Sequence, residues 1–409
     1  LACIVAYAFS LSLPITFPWT ILVIGLIVSL LISWLEKPTL RGQIRFVQDL
    51  AEAPLTKALL IFAAVVGVSG LVNGGFPEAF KSLSALRGGL VYFWAHHAFK
   101  SEDGLRKNAV LSLLVVGALA GFIASIEQVT DSHPFSSFRY LQGTGFLATP
   151  MAFAGTMQIF SMLAFGLVIG QSFRKSGNLL SKPWVIGLVV LGNLAGLVFA
   201  GERSAWFGAL TAVVICTAIF SQILFWRTAI GATLITAVSC VAVPVVRDRL
   251  MALANWQSDV SAQVRLKVWS HAWKVFEQHP LFGVGIRKFP PFPVPANIAP
   301  GHAPLLDHAH SNYLQMLATA GIFGFISYIY LWFVVIRECL VRIGFAKQTQ
   351  AEQEKSHSRL FLFDWTFEQG LSFGIMTGAV ALLISGLFEY NFGTGQIRLA
   401  QWFVLAMLI

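Results

Sequence analysis

Charge is what this sequence lacks. Only 11% of its 409 residues are Asp, Glu, Lys or Arg, against roughly a quarter in soluble globular domains. Hydrophobic residues make up 56% and the mean hydropathy is +0.72. A chain so poor in charge cannot cover a water-facing surface, which excludes an ordinary soluble enzyme. Acid is scarcer than base, with 19 Asp and Glu against 28 Lys and Arg. No Asp-x-Asp pair is present to hold Mg²⁺ or Mn²⁺ against a phosphate. The four cysteines, Cys3, Cys216, Cys240 and Cys339, all fall within or at the ends of apolar runs, so they staple no polar loop and say little about redox compartment. No short-period repeat occurs.

What the sequence has instead is apolar runs near the ~20 residues a helix needs to cross hydrocarbon. They lie at 1–13, 19–35, 58–73, 80–99, 109–126, 151–171, 183–200, 205–225, 229–246, 313–336, 369–388 and 399–409. The fold class expected is therefore an all-α polytopic membrane protein with about twelve transmembrane helices. Lys37, Arg41, Arg45, Lys57, Lys100, Arg106, Lys107, Arg174, Lys175, Lys182, Arg227, Arg337, Arg342, Lys347, Lys355 and Arg359 all fall in alternate loops on one side, while the short opposite loops hold only Arg139, Arg203 and Arg398. The positive-inside rule makes the first side cytoplasmic and puts both termini there. The net charge of +9 is thereby spent on topology, and no basic, aromatic-interleaved soluble domain exists to hold nucleic acid. The first run lacks a following small-residue cleavage site, so a removable signal peptide is not expected.

Three regions follow: transmembrane helices 1–9 over residues 1–246, a long polar outer segment at 247–312, and transmembrane helices 10–12 over 313–409 with a cytoplasmic loop at 337–368. The outer segment carries an amphipathic helix around 260–279, with Val264, Val268, Ala272 and Phe276 on one stripe and Pro280 as its stop. The stretch Phe289-Pro290-Pro291-Phe292-Pro293-Val294-Pro295 cannot be helical and should run extended.

The residues that point to chemistry gather on this outer face. His308 and His310 lie at the mouth of the run at 313–336, where Ser311 is a suitable N-cap. A helix N-terminus disfavours a protonated imidazole, so a histidine there is suited to act as a general base; both residues equally suit a structural capping role. His302, Asp307, His308 and His310 also offer a metal-site alternative, although no helical His-x-x-x-His accompanies them. Arg203, in Gly201-Glu202-Arg203-Ser204, sits at a tight corner, and Arg265 lies on the amphipathic helix. Arg139, Lys81, Arg87 and Arg287 add further cations at the outer side. Several guanidinium groups converging on one spot make a receptor for a diphosphate, because each forms two parallel bonds to phosphate oxygens and keeps its charge when desolvated. The bland alternative, snorkelling to lipid headgroups, fits Arg398 best and stays open for Lys81 and Arg87. Glu202 reads as an ion-pair partner of Arg203.

The strings Arg265-Leu266-Lys267-Val268-Trp269, His279-Pro280-Leu281-Phe282-Gly283-Val284-Gly285 and His310-Ser311-Asn312-Tyr313-Leu314-Gln315, running into Gly321-Ile322-Phe323-Gly324, resemble in order and placement the bacterial O-antigen ligase superfamily. That superfamily also holds O-antigen polymerases and protein O-oligosaccharyltransferases. The resemblance covers residues 200 to about 335 and implies a GT-C-type glycosyltransferase in the bacterial inner membrane, working without metal or other cofactor. Its donor would be an undecaprenyl-diphosphate-linked glycan and its acceptor a lipid A-core oligosaccharide, joined with inversion at the periplasmic face, where 247–312 would be the catalytic loop. Carried over by motif, the catalytic histidine falls on His310, with His308 second, and the essential arginines fall on Arg203 and Arg265. A family-typical Asn directly after the His is displaced here by Ser311 to Asn312, which leaves the two histidines open. The polymerases' spacing of ten residues between arginine and glycine is absent, position 214 being Val and 276 Phe, so ligase is preferred. A twelve-helix transporter is the rival outside this class, but it would show two matched halves, whereas this chain is lopsided.

Overall fold

The computed structural model describes residues 2–35, 48, 51–102, 104–132, 142–147, 149–170, 182–242, 244–254, 257, 259–294, 305–344 and 365–408. Among them are fourteen helices: α1 Ala2–Ser10, α2 Thr16–Leu35, α3 Thr56–Ser84, α4 Gly89–Ser101, α5 Leu105–Thr130, α6 Pro150–Ile169, α7 Pro183–Phe199, α8 Arg203–Phe220, α9 Gln222–Ala242, α10 Pro244–Ala254, α11 Val260–Gln278, α12 Asn312–Ile343, α13 Phe367–Ser385 and α14 Gly395–Leu405.

The protein is a polytopic helical membrane protein, but its spans are less uniform than the apolar runs imply. Seven helices among the described residues (α3, α5, α6, α8, α9, α12 and α13) are long and apolar enough to cross a membrane, and Thr16–Val28 and Pro183–Phe199 are shorter apolar helices. The remaining runs hold α1, with nine residues, and α14, with eleven, each short of the ~20 a full crossing needs. The run at 80–99 belongs to two helices. Gly74 and Gly75 break α3, Gly75 at φ +68°, and the chain folds back so that Ala79 lies against Gly70. Between Ser84 and Gly89 the α-helical ladder tightens into i→i−3 bonds such as Leu86 N–H to Leu83 O (2.9 Å) and Gly89 N–H to Leu86 O (2.8 Å), the signature of a 3₁₀ joint. Arg227, read from sequence as a loop residue, falls within α9.

The bundle is organised around α6 and α13. Pro150 follows the capping side chain of Thr149, which accepts the Ala152 N–H at 3.2 Å, and most of α6 beyond it is buried on all sides. A helix apolar all round belongs at the centre. α13 packs on α6, α8 and α12, and α12 packs on α3. α5 meets α7 so closely that a Cβ on Gly121 would sit 1.8 Å from the Gly192 carbonyl oxygen, the small-residue contact that lets membrane helices approach without a hydrophobic drive. At the periphery α9 buries almost nothing; Ile223, Ile230, Leu234, Val238 and Val241 are exposed, as expected of a helix facing lipid.

Where it is described, the polar segment has the helix and the extended stretch that its sequence implies. α11 starts at its cap Asp259 and ends before Pro280, burying Val268, Ala272 and Val275 against Phe289, Ala309 and Ala318; Val264 and Phe276 are half-buried on the same side. The proline-rich stretch is extended, and at Phe292–Pro293 it pairs antiparallel with Leu305–Leu306. Pro295 lies outside the described residues.

The string His279–Gly285 fills a break in α12. Gly321 takes φ +68° there, and the two strands of chain exchange backbone bonds: Val284 N–H to Ala318 O (3.1 Å), Gly285 N–H to Thr319 O (2.9 Å) and Ile322 N–H to Pro280 O (2.8 Å). Gly283, at φ +61°, has no room for a Cβ, which would fall 2.3 Å from the Thr319 carbonyl carbon. The loop is also tied to α3, where Asn73 Nδ2 donates to Gly283 O at 2.9 Å. Backbone groups freed by breaking a helix are thus satisfied by another segment of protein, the condition under which irregular backbone is tolerated at membrane depth. The first half of α12 is thereby fixed relative to α11.

Candidate active site

Four segments converge at one end of the bundle: the corner before α8, α11, the residues before α12, and the loop 386–394 between α13 and α14. Asp259 joins the first two. Its Oδ1 caps α11 by accepting the Ser261 N–H at 3.0 Å, and its Oδ2 lies 2.6 Å from Nη1 of Arg203, the first residue of α8. Its carboxyl is held below the ordinary carboxylate range: partial burial opposes ionisation, but the hydrogen bond and charge of Arg203 outweigh it.

Arg265 points from α11 to the 386–394 loop. Its Nε donates to Phe388 O at 3.0 Å, Nη1 to Ser261 Oγ and Nη2 to Glu389 Oε1. Glu389 has a side chain only 6% exposed, and its second oxygen meets His310 Nδ1 at 3.2 Å. Burial alone would raise the Glu389 carboxyl, yet the His310 hydrogen bond and the Arg265 and His310 charges hold it below the ordinary range. An ionised carboxylate only accepts, so Nδ1 carries the proton in this contact and the basic lone pair of a neutral His310 is on Nε2.

His310 is fixed from several directions. It adopts φ +46°, a left-handed conformation that is uncommon for a residue with a side chain, although His is enriched among the exceptions. Ser311 follows as the expected N-cap of α12, and Trp269 Nε1 donates to His310 O at 3.4 Å. Asn312 answers the displaced asparagine of the sequence. Its N–H donates to Gly386 O (2.7 Å), its Oδ1 accepts the Phe392 N–H (3.0 Å) and its Nδ2 donates to Asn391 Oδ1. Asn391 in turn donates to Ser385 Oγ, and Ser385 to Gln158 on α6. This buried network fixes the loop that carries Glu389 relative to the start of α12 that carries His310. His308 lies beside His310 with ring centroids 4.3 Å apart, but its own Nδ1 pairs with the exposed Asp307 at 2.8 Å, and its ring faces Tyr390 at 5.9 Å.

A cavity of about 530 Å³ opens beside this cluster. Arg203, Arg249, Arg265, Glu202 and Asp259 line its polar side, and Phe207, Leu266, Trp269 and Phe388 its apolar side. Glu202 stands above the ordinary carboxylate range, first because it is buried and then because Glu389 is near. It does not pair with Arg203 as the sequence suggested; Asp259 does.

Of the residues singled out by sequence, Arg203, Arg265, His310 and His308 come together. Lys81 pairs instead with Glu78 on α3 at 3.7 Å, and Arg87 stacks over Trp19 at 4.9 Å; neither lines the cavity. Arg287 is exposed, and it is Lys288 that is anchored, to Asn73 O at 2.9 Å. Arg139 and His302 lie outside the described residues. Among the described residues no three His, Cys, Asp or Glu side chains gather as a metal-holding group.

The fold and cluster define a class: a multi-pass membrane protein with an arginine-lined cavity beside a histidine oriented by a buried carboxylate. Comparison adds a family similarity. Residues 186–329 match the family model described as O-antigen ligase, which supports a relation to the O-antigen ligase superfamily, a group of enzymes concerned with glycosyl transfer. The matched segment holds Arg203, Asp259, Arg265, His308 and His310 and stops short of Glu389. Comparison with curated proteins gives no match.

Proposed function

We propose that the protein is an O-antigen ligase of GT-C type, moving glycan from undecaprenyl diphosphate to a lipid A-core acceptor at the periplasmic face of the bacterial inner membrane. The chain would cross the membrane about twelve times, its shorter helices and the broken α3 completing the count. The observation that carries the reading is the continuous line from imidazole to cavity, His310 to Glu389 to Arg265. It joins a candidate base to a candidate anion receptor through one carboxylate.

In this mechanism the acceptor hydroxyl approaches His310 Nε2 and gives up its proton there as its oxygen attacks the anomeric carbon. The bond from that carbon to the diphosphate oxygen breaks on the opposite face, so configuration inverts. Glu389 stabilises the imidazolium as it forms, without taking its proton. Arg203 and Arg265 take up the charge that develops on the departing diphosphate, a task suited to fixed guanidinium groups in a partly desolvated cavity. The apolar wall of Phe207, Leu266, Trp269 and Phe388 would receive the first isoprene units, and the slot would open sideways to lipid because both substrates are membrane-borne.

The test is reconstitution of the full chain in proteoliposomes with undecaprenyl-diphosphate glycan and purified lipid A-core. Ligated product that forms equally in EDTA supports the reading. Transfer only to a growing glycan or to a protein acceptor would move the enzyme to another branch of the superfamily. Loss of activity in EDTA, restored by a divalent ion, would overturn the metal-free step.

A further inference from the structure

Three arginines line the cavity, and the two that the sequence resemblance singles out are already occupied. Arg203 is held by Asp259, and Arg265 by Glu389, Ser261 and the Phe388 carbonyl. A phosphate reaching either competes with the carboxylate already beside it. Arg249 differs. It reaches the same cavity from α10, and no described residue forms an ion pair or hydrogen bond with it.

The short helix α10 sorts its two arginines by face. Residues two apart lie about 200° apart around a helix. Arg247 is exposed and paired with its neighbour Asp248 at 3.4 Å, whereas Arg249 is half-buried on the cavity side. Arg249 lines the cavity with Glu202, whose ionisation its positive charge favours. With Glu202, Asp259 and Glu389 ionised, the three guanidinium charges are formally balanced. An arriving diphosphate meets Arg249 as the cavity arginine without an ion pair among the described residues.

We propose that Arg249 captures the donor diphosphate, holding its phosphates while Arg203 and Arg265 exchange their carboxylates for phosphate oxygens. The inference rests on the reading of this cavity as the lipid-diphosphate site. It assigns α10 a role that neither the histidine nor the two paired arginines can fill. Asp259 then acts as a competitor that the ligand displaces.

The experiment uses the full chain in nanodiscs of zwitterionic lipid, with undecaprenyl diphosphate itself as the probe. R249A and R249Q should each weaken its binding by roughly 10–100-fold, mainly through slower association, and should flatten the dependence of association on ionic strength. R249K should recover part of the rate, since a point charge still steers but lacks the bidentate fork. D259N should bind more tightly than the wild type. Wild-type protein that takes up no undecaprenyl diphosphate would overturn the reading of the cavity itself. Wild-type protein that binds, with R249A and R249Q binding equally well, would overturn this inference alone. A parallel set of nanodiscs containing phosphatidylglycerol separates a headgroup role. If that lipid blocks the probe in the wild type but not in R249A, Arg249 is a lipid-headgroup ligand and the capture role fails.

Discussion

A Glu389→Gln substitution exchanges one carboxylate oxygen for an amide and removes the charge that Arg265 and His310 share. The glutamine keeps an oxygen that can accept from His310 Nδ1, so the ring need not turn. What is lost is stabilisation of the imidazolium that forms when His310 takes the acceptor proton. Losing a carboxylate in that position typically lowers turnover by about 10²–10⁴. Stability should suffer less. Removing a buried ion-pair partner can cost about 3–5 kcal/mol, but Arg265 keeps Phe388 O and Ser261, so a loss of about 1–3 kcal/mol is expected. Donor binding should hold or tighten, because Arg265 is freed from its competing carboxylate. The assay measures ligation turnover, undecaprenyl-diphosphate affinity and thermal unfolding on the same reconstituted protein. Turnover within a few-fold of the wild type would refute the role given to Glu389. So would a parallel collapse of turnover and donor affinity, which would mark Glu389 as merely a brace for Arg265.

Other expectations follow from the same geometry. Arg203→Lys and Arg265→Lys should each remain roughly 10–100-fold below wild type in turnover, since a lysine cannot reproduce the two-pronged contact; full rescue at both would reduce their role to electrostatic attraction. Because Glu202 stands above the ordinary carboxylate range, lowering the pH through that raised range neutralises it, makes the cavity more positive and should tighten donor binding, while Glu202→Gln should bind tightly with a flat profile. A wild-type affinity that weakens on acidification, with Glu202→Gln behaving identically, would contradict this. Fold stability gains from the same protonation, since a carboxyl raised in the folded state binds its proton there more strongly than in the unfolded chain. Gly321→Ala should lose at least the ~1–2 kcal/mol cost of a left-handed alanine, and more from the contact of its Cβ with Leu281, 2.3 Å from the carbonyl carbon. Thermal unfolding in detergent checks this, and an unchanged midpoint would mean that the break in α12 is not required.

How much of this was legible in the sequence depends on how local each signal is. Ser311 caps α12, and Pro280 lies just beyond the end of α11, as their local context implies, because capping chemistry is written within four residues of a helix end. The clustering of His308 and His310 with Arg265 followed from their shared outer segment. Nothing local in the sequence distinguishes Glu389 from the other acids; its partners lie 79 and 124 residues away, and only the fold brings them together. The partner of Arg203 was hidden for the same reason. Glu202 is adjacent to Arg203 in sequence, yet neighbours along an extended turn point apart, and Asp259 reaches the guanidinium from the start of another helix. The breaks in α3 and α12 had a local trace in Gly74-Gly75 and Gly321. Whether a glycine in an apolar run bends it or merely packs is decided by what lies opposite, here the loop at 280–285. Lys81 and Arg87 were outward cations without a distinguishing neighbour, and packing directed them to Glu78 and Trp19.

The central claim is that His310, and not His308, removes the acceptor proton in a cavity whose arginines hold the donor independently. The most direct measurement compares His310→Ala and His308→Ala for turnover and for undecaprenyl-diphosphate binding in the same proteoliposomes. His310→Ala should lose at least ~100-fold in turnover with donor affinity retained, and His308→Ala should lose far less. Near-normal turnover in His310→Ala would contradict the account, and an inactive His308→Ala beside it would assign the base to His308 instead.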